Sequence, residues 1–192
     1  MTIYLFGLNE VTWEILENPD WPASASVEGL VNKKYFDEAQ KLPIKVNILE
    51  EISLKQGDEI INCVGYKSLL DRESVSTLLA GIARVRTYIS PRASVSKTAL
   101  ILDGTVILGN AVVERGVIIG SGSLIWGGAY ICHDAKIGPF NFIASGVRVG
   151  GWATTGKFCK FGFNSVLEQH SKVPDNFSSG ALRFLKKTRG GL

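Results

Sequence analysis

From Ile89 onward an aliphatic side chain returns every sixth residue. The series is Ile89, Val95, Ile101, Ile107, Val113, Ile119, Ile125, Ile131, Ile137, Ile143, Val149, Thr155, Phe161, Leu167 and Val173. Thirteen of these fifteen positions are Ile, Leu or Val, where about four would follow from composition alone. A second track, four residues after each aliphatic, is mostly small. It runs through Ala93, Ala99, Thr105, Ala111, Val117, Ser123, Ala129 and Ala135, and resumes at Val147, Ala153, Cys159, Ser165 and Ser171. A period of six is neither the 3.6 of a helix nor the 2 of a strand. It fits a hexapeptide β-solenoid in which each repeat builds one flat side and its turn. Three sides make a coil of eighteen residues, so fifteen repeats predict five coils, roughly 24 Å tall at about 4.8 Å per coil. The aliphatic track fills the interior, and the small track sits where the chain turns. After Val173 the register is lost, and Ala181 to about Lys187 reads as one short helix closing the open end.

Before the solenoid the pattern changes. Thr2–Phe6 reads as a buried strand ended by Gly7. Asn9 can cap a helix from about Glu10 to Glu17 with Trp13, Ile15 and Leu16 inward, and Asn18-Pro19 stops it. Ser24–Val31 and Glu59–Val64 read as further strands. Lys67 to about Ala80 reads as a helix with Leu69, Leu70, Leu78 and Leu79 on its apolar face. This order predicts a small α/β unit. The expected domains are residues 1–86, residues 87–178 for the solenoid, and a cap and tail over 179–192. The tail's Arg183, Lys186, Lys187 and Arg189 read as a solvated basic end.

Bulk numbers narrow the partners. The 192 residues are 45% hydrophobic and 20% charged, with a net charge of +3, too little to argue for nucleic acid or a membrane surface. Glycine, 21 residues, clusters in the second half, where tight corners are needed. Three cysteines, Cys63, Cys132 and Cys159, share no motif spacing and read as free thiols in a reducing, cytoplasmic compartment. No apolar run of about eighteen residues predicts a membrane span, and residues 1–8 do not look like a signal peptide.

The segment Ile131-Cys132-His133-Asp134-Ala135-Lys136-Ile137-Gly138, set in this register, resembles the left-handed parallel β-helix acyltransferases with hexapeptide repeats. Within them the chain is most similar to the bacterial sialic-acid and nucleotide-aminosugar O- or N-acetyltransferases. The resemblance implies a mainly β fold: a left-handed parallel β-helix of about five coils preceded by a small Rossmann-like α/β domain. It also implies a homotrimer with each active site between two prisms, and acetyl transfer from acetyl-CoA to a sugar, in surface-polysaccharide synthesis. Handedness comes from the resemblance, since ordinary parallel crossovers prefer the other hand. His133 falls on the family's catalytic histidine, and imidazole suits a general base near neutrality. Asp134 falls on the acidic neighbour that orients it, which requires the corner to bend, because neighbours on a strand point apart. Gly150-Gly151-Trp152 falls on the glycine stretch whose N–H accepts the acetyl carbonyl oxygen, with Gly151 the candidate. One coil separates His133 from Gly151, so the two stack on adjacent rungs. Trp152 is read beside the pantetheine arm or in a subunit contact. Gly156, Gly162 and Asn164 fall on the later stretch along which coenzyme A lies.

Departures from the family bear on the acceptor. Its glycine-rich phosphate turn after the first strand is here Gly7-Leu8-Asn9-Glu10-Val11, retaining only Gly7. The acidic pair after the second strand is Val31-Asn32-Lys33-Lys34. The His-Pro at the solenoid entrance is Ser90-Pro91, and a second histidine near coenzyme A is Phe142. Gly65, Tyr66, Lys67 and Arg72 are the remaining candidates for acceptor contact. Cys132 allows a covalent route, whereas the resemblance implies direct attack. His170 reads as surface. A carbonic anhydrase on this scaffold needs three histidines for its metal and the chain has 2, so no metal is expected. No Gly-x-Gly-x-x-Gly follows the first strand, which argues against a dinucleotide oxidoreductase. A non-catalytic β-helix module for binding or assembly remains the alternative.

Overall fold

In the computed structural model residues 1–17 and 24–186 are described. The chain forms two compact units, Met1–Arg86 and Thr87–Leu192. Asn18-Pro19, Lys187 and Arg189 lie outside the described residues.

The first unit is a five-stranded parallel sheet, built from β1 (Thr2–Phe6), β2 (Ser26–Val31), β3 (Val46–Ile48), β4 (Glu59–Asn62) and β5 (Arg84–Val85), in the order β3-β2-β1-β4-β5. Parallel strands covered on both faces are apolar along their length. Ile3 to Phe6 are accordingly all buried, as are Ile60 and Ile61. Tyr4, Phe6, Leu30, Ile60 and Leu79 form one core cluster. Helix α1 (Glu10–Leu16) is capped by Asn9, whose side chain accepts the Val11 N–H. A further helix, α2, is Phe36–Ala39, and α3 is Leu69–Ala80. The three-residue β3 is too short for periodicity to reveal.

Two expected faces differ. Trp13 is exposed rather than inward, and on α3 Leu70 and Leu78 are exposed while Leu69 and Leu79 are buried. The α3 stripe that meets the sheet runs Leu69, Arg72, Val75, Leu79, at the three-to-four spacing of one helix face. Leu70 and Leu78 lie about 100° to either side of it, and Arg72 holds the stripe position between the leucines.

The second unit is a parallel β-helix. Two-residue strands recur every six residues from Tyr88–Ile89 to Phe184–Leu185 and stack into sheets of six, five and six strands. Partners are eighteen residues apart, as in Val113↔Ile131, Ile131↔Val149 and Val149↔Leu167. From Ile107 onward both predicted tracks face inward: Ile107, Ile119, Ile125, Ile131 and Ile143 are fully buried, and so are Ala111, Val117, Ala129, Ala135 and Ala153, whereas Ile89 at the start of the series is exposed and Val95 and Ile101 are half-buried.

The two breaks in the tracks explain each other. Asn141 stands where the small track lapses and Thr155 where the aliphatic track does. The Asn141 amide donates to the Thr155 hydroxyl and to the Gly156 carbonyl (3.0 Å), and its carbonyl oxygen accepts the Cys159 N–H (2.7 Å). Thr155 Oγ1 also accepts the Gly138 N–H at 3.0 Å. A fully bonded buried amide replaces two apolar contacts with little net cost.

The end of the solenoid corrects the expectation. Residues 181–186 do not form a closing helix. Ser178–Ser179 and Phe184–Leu185 pair with Lys160–Phe161 and Val166–Leu167 and continue the coil. Ser179 occupies an interior position, which hid the period from a reading based on aliphatics.

Between strands the chain turns through the left-handed region of φ. These turns recur in columns eighteen residues apart, and one column is Gly116, Asp134, Trp152 and His170 (φ 67°, 60°, 55° and 61°). A non-glycine residue there costs about 1–2 kcal/mol. Each turn recovers a hydrogen bond to the rung below: Asp134 N–H to Arg115 O (3.0 Å), Trp152 N–H to His133 O (3.2 Å) and His170 N–H to Gly151 O (2.9 Å).

Candidate functional site

That column is the corner that carries His133. The left-handed backbone of Asp134 bends the chain so that two consecutive side chains, which on a straight strand would diverge, face each other. His133 Nδ1 lies 3.1 Å from Asp134 Oδ2. The carboxylate is shared with Arg115 one rung below, whose Nη1 donates to the same oxygen at 3.4 Å. An ionised carboxylate only accepts, so a neutral ring bonded to it carries its hydrogen on Nδ1 and its lone pair on Nε2. An imidazole held this way can take a proton at Nε2 and have the resulting cation stabilised.

Glycines give both groups their room. A Cβ on Gly116 would lie 2.3 Å from Asp134 Oδ1, so the carboxylate rests over the bare backbone of the rung below. A Cβ on Gly151 would lie 3.0 Å from His133 Cε1 and 3.1 Å from Nε2, so the imidazole rests against the bare backbone of the rung above. Gly151 is buried, and its N–H has no acceptor among the described residues. The expected adjacency of His133 and Gly151 on neighbouring rungs is therefore present. Trp152 lies edge-to-face with His133 (centroids 4.4 Å, 88°) and is stacked on His170 (4.9 Å, 6°). His170 is exposed, as the sequence predicts, and also belongs to this aromatic ladder.

Sequence reading missed Glu114. It sits one rung below Cys132, and its carboxylate takes the Tyr130 O–H at 2.6 Å and the His133 backbone N–H at 2.7 Å. The Tyr130 hydroxyl, then the His133 N–H, hold this carboxyl below its usual range, and burial opposes them weakly. Subtracting eighteen from Cys132 would have found it, as adding eighteen to His133 found Gly151. Burial, then the Glu114 charge, push the Cys132 thiol up, which disfavours the thiolate a covalent route needs.

The other proposed residues are dispersed. Gly156 follows Thr154–Thr155 on the next side of the coil, Gly162 follows Lys160–Phe161 on the side after it, and Asn164 (φ 54°) turns the third corner. Within one chain they are not gathered around His133.

In the first unit, Gly7 and Gly65 are brought together at the carboxyl ends of the adjacent strands β1 and β4. A Cβ on Gly7 would lie 3.4 Å from Val64 N, and one on Gly65 would lie 3.7 Å from Asn9 Nδ2. Asn9 straps the two ends by donating from Nδ2 to the Cys63 carbonyl. Tyr66 is half-buried and Lys67 exposed in the following turn. Arg72 is corrected: it is fully buried, and its Nη1 donates to the Asn62 and Val64 carbonyls at 2.8 and 2.6 Å. Burial lowers its pKa to about 10. It fixes the loop before Gly65 and does not face an acceptor.

Among the described residues no cluster of three or more His, Cys, Asp or Glu could hold a metal ion, and no helix is long and apolar enough to cross a membrane.

Comparison with known proteins fits this geometry. Residues 116–151 match the family model for the bacterial transferase hexapeptide (six repeats). That span runs from the glycine beneath Asp134 to the glycine above His133. No curated protein matches the chain in sequence. Among solved structures it is similar to the acetyltransferase domain of PglB from Neisseria gonorrhoeae FA1090. The TM-score is 0.82 at 20% identity, covering 98% of this chain and 94% of that one. The same domain in complex with acetyl coenzyme A gives a TM-score of 0.80 at 22% identity, covering 94% and 88%. WeeI from Acinetobacter baumannii AYE gives 0.57 at 14%, covering 93% and 96%. These likenesses establish the shared fold.

Proposed function

We propose that the chain is an acetyl-CoA-dependent acetyltransferase acting on a sugar, with a nucleotide-linked amino sugar the favoured acceptor and surface-polysaccharide synthesis the setting. The observation that carries the proposal is the His133 ring between the Asp134 carboxylate and the bare backbone of Gly151. The PglB domain, similar over nearly its whole length, is an acetyltransferase domain whose structure is known in complex with acetyl coenzyme A. A perosamine N-acetyltransferase from Caulobacter crescentus, crystallised with CoA and GDP-perosamine, shares the fold more distantly (TM-score 0.51, 14% identity, covering 96% and 90%).

In this reading the acceptor hydroxyl or amine gives its proton to His133 Nε2 as it attacks the thioester carbonyl carbon. Asp134 stabilises the imidazolium, and the Gly151 N–H donates to the carbonyl oxygen as charge builds on it. The carbon–sulfur bond then breaks, and the departing thiolate takes the proton back from His133. The products are the acetylated sugar and free coenzyme A. Gly151 fits a thioester site because its N–H has no acceptor among the described residues and a side chain there would displace the base. Left-handed winding, a cytoplasmic setting, a homotrimer with sites between prisms, and coenzyme A contacts from Trp152, Gly156, Gly162 and Asn164 complete the proposal. The sheet order β3-β2-β1-β4-β5 supports a Rossmann-like reading of the first unit, with Gly7, Gly65, Tyr66 and Lys67 at the strand ends where such sheets bind ligands.

The Asn9 strap at that position favours one second reading, a non-catalytic β-helix module. The test incubates the chain with acetyl-CoA and a panel of nucleotide-linked amino sugars and follows thiol release. Release that depends on the acceptor and falls about a thousandfold in His133→Ala supports the enzyme. Coenzyme A binding without release by any acceptor supports the module.

A further inference from the structure

We infer that Glu114 is a positioning residue for His133, acting on its backbone from the rung below. The inference rests on the proposed role of His133 as base. Three side-chain contacts reach His133 from different directions. Asp134 orients the ring at Nδ1, Trp152 abuts the ring from above, and the Glu114 carboxylate accepts the backbone N–H at 2.7 Å. The first two set the ring about its own torsions; the third, together with the Trp152 N–H on the His133 carbonyl at 3.2 Å, fixes where the ring's stem leaves the coil.

That third contact replaces a bond the corner would otherwise lack. On three rungs the left-handed residue of this corner donates to the carbonyl below it, as Asp134 does to Arg115 and Trp152 to His133, while Gly116 donates to the Thr98 hydroxyl. The residue before it has no such carbonyl to reach. At Gly151 that N–H has no acceptor among the described residues, whereas at His133 a side chain supplies one. The same corner therefore holds one N–H without an acceptor among the described residues and one tethered N–H, a rung apart. Glu114 is itself anchored by the Tyr130 O–H at 2.6 Å, and the Arg148 guanidinium lies 5.8 Å from the Tyr130 ring. Its depressed pKa keeps it an acceptor throughout the range in which an imidazole base works.

The chemistry of the substitutions separates tether from scaffold. Glu114→Ala removes both bonds. Glu114→Gln can keep both, with its oxygen accepting from His133 and its amide donating to a turned Tyr130 hydroxyl. Tyr130→Phe removes only the anchor. With the full chain, Glu114→Ala is expected to lower kcat about 30- to 100-fold with KM for acetyl-CoA within about twofold. Gln should recover most of the loss, and Tyr130→Phe should fall in between. The His133 amide proton, read by NMR, reports the tether without any turnover: a bond to a carboxylate holds it downfield, and Ala should move it upfield while Tyr130→Phe leaves it in place. Full activity in Glu114→Ala with the amide shifted overturns the inference. So does a kcat loss in Ala that Gln does not recover although the amide of the Gln variant stays downfield. A wild-type chain without acyl transfer to any acceptor instead overturns the functional reading beneath it.

Discussion

Asn141 in the solenoid and Asn62 in the α/β unit are both fully buried and both hydrogen-bonded, yet their partners are brought to them in different ways. Asn141 bonds Thr155, Gly156 and Cys159 at positions set by the eighteen-residue coil. Asn62 donates to the Arg72 carbonyl (3.0 Å) and to Ser76 Oγ (2.8 Å), and accepts the Val64 N–H (2.9 Å). Those partners come from a loop and a helix whose placement no period encodes. In the solenoid a residue's surroundings follow from its number, so a chemical group can be located by counting. In the α/β unit each environment is made once. The sharpest tests of this contrast change residues whose neighbours the count identifies.

Gly151→Ala should have the largest effect. Its Cβ would come within 3.0–3.1 Å of the His133 ring, so the imidazole must shift by a few tenths of an ångström, and the N–H beside it moves too. We expect kcat to fall about a hundredfold with the melting temperature nearly unchanged. Gly180→Ala, whose Cβ would meet nothing within 4 Å, is the matched control. Near-normal turnover in Gly151→Ala would mean that adjacency on the coil does not couple these two positions.

Next in size is the Asn141–Thr155 pair. Asn141→Val leaves the buried Cys159 N–H and Gly156 carbonyl without that partner, and should cost about 3 kcal/mol. Thr155→Val should cost about 1–2 kcal/mol, because Gly138 N–H and the Asn141 amide lose their acceptor. The double variant should be more stable than the sum of the two losses by about 1 kcal/mol, since each single change strands the other residue. Denaturant unfolding of the four proteins measures this. Strict additivity would show that the two lapses in the tracks are independent, and that the coil tolerates polar residues for some other reason.

The same contrast governs how much was legible beforehand. The solenoid, its register, the corner at His133 and the adjacency of Gly151 could be read because six divides eighteen and each track repeats. Glu114, eighteen residues before Cys132, was equally legible by the same count. The coil's continuation through Ser179 was hidden by the assumption that interior positions are aliphatic. In the first unit β1, α1, β2, β4 and α3 followed from caps and apolar runs, with ends a few residues off. The strand Val46–Ile48 was too short to show. Arg72 misled: an arginine beside a candidate site suggests a ligand contact, but its place on the α3 stripe puts it inside, bonded to carbonyls. A close attention to the 69-72-75-79 spacing, rather than to the four leucines, would have turned it inward.

The smallest expected effect lies in the α/β unit and concerns pH. Asp58 accepts the Thr2 N–H at 2.8 Å on one oxygen and the Lys55 N–H at 2.9 Å on the other, tying the start of β1 to the turn before β4. Burial pulls its carboxyl upward, and the backbone bonds from Lys55 and Thr2, helped by the Lys55 charge, outweigh it, leaving the pKa below the ordinary 3.8. Because the folded value lies below the unfolded one, the native state holds fewer protons. The stabilisation is complete above the ordinary value and is lost as pH falls through the folded one. Asp58→Asn can satisfy only one of the two N–H groups, and should lower stability by about 1 kcal/mol at pH 7. The gap to wild type should narrow as pH drops below about 4. Urea midpoints at pH 7, 5 and 3.5 measure it. In the solenoid the repeated backbone ladder carries the load, so a surface carboxylate such as Asp175, which accepts the Lys157 N–H at 3.0 Å, should show a smaller gap in its Asn variant. Equal gaps for the two would mean that a tie made once is no more exposed to loss than one link among many.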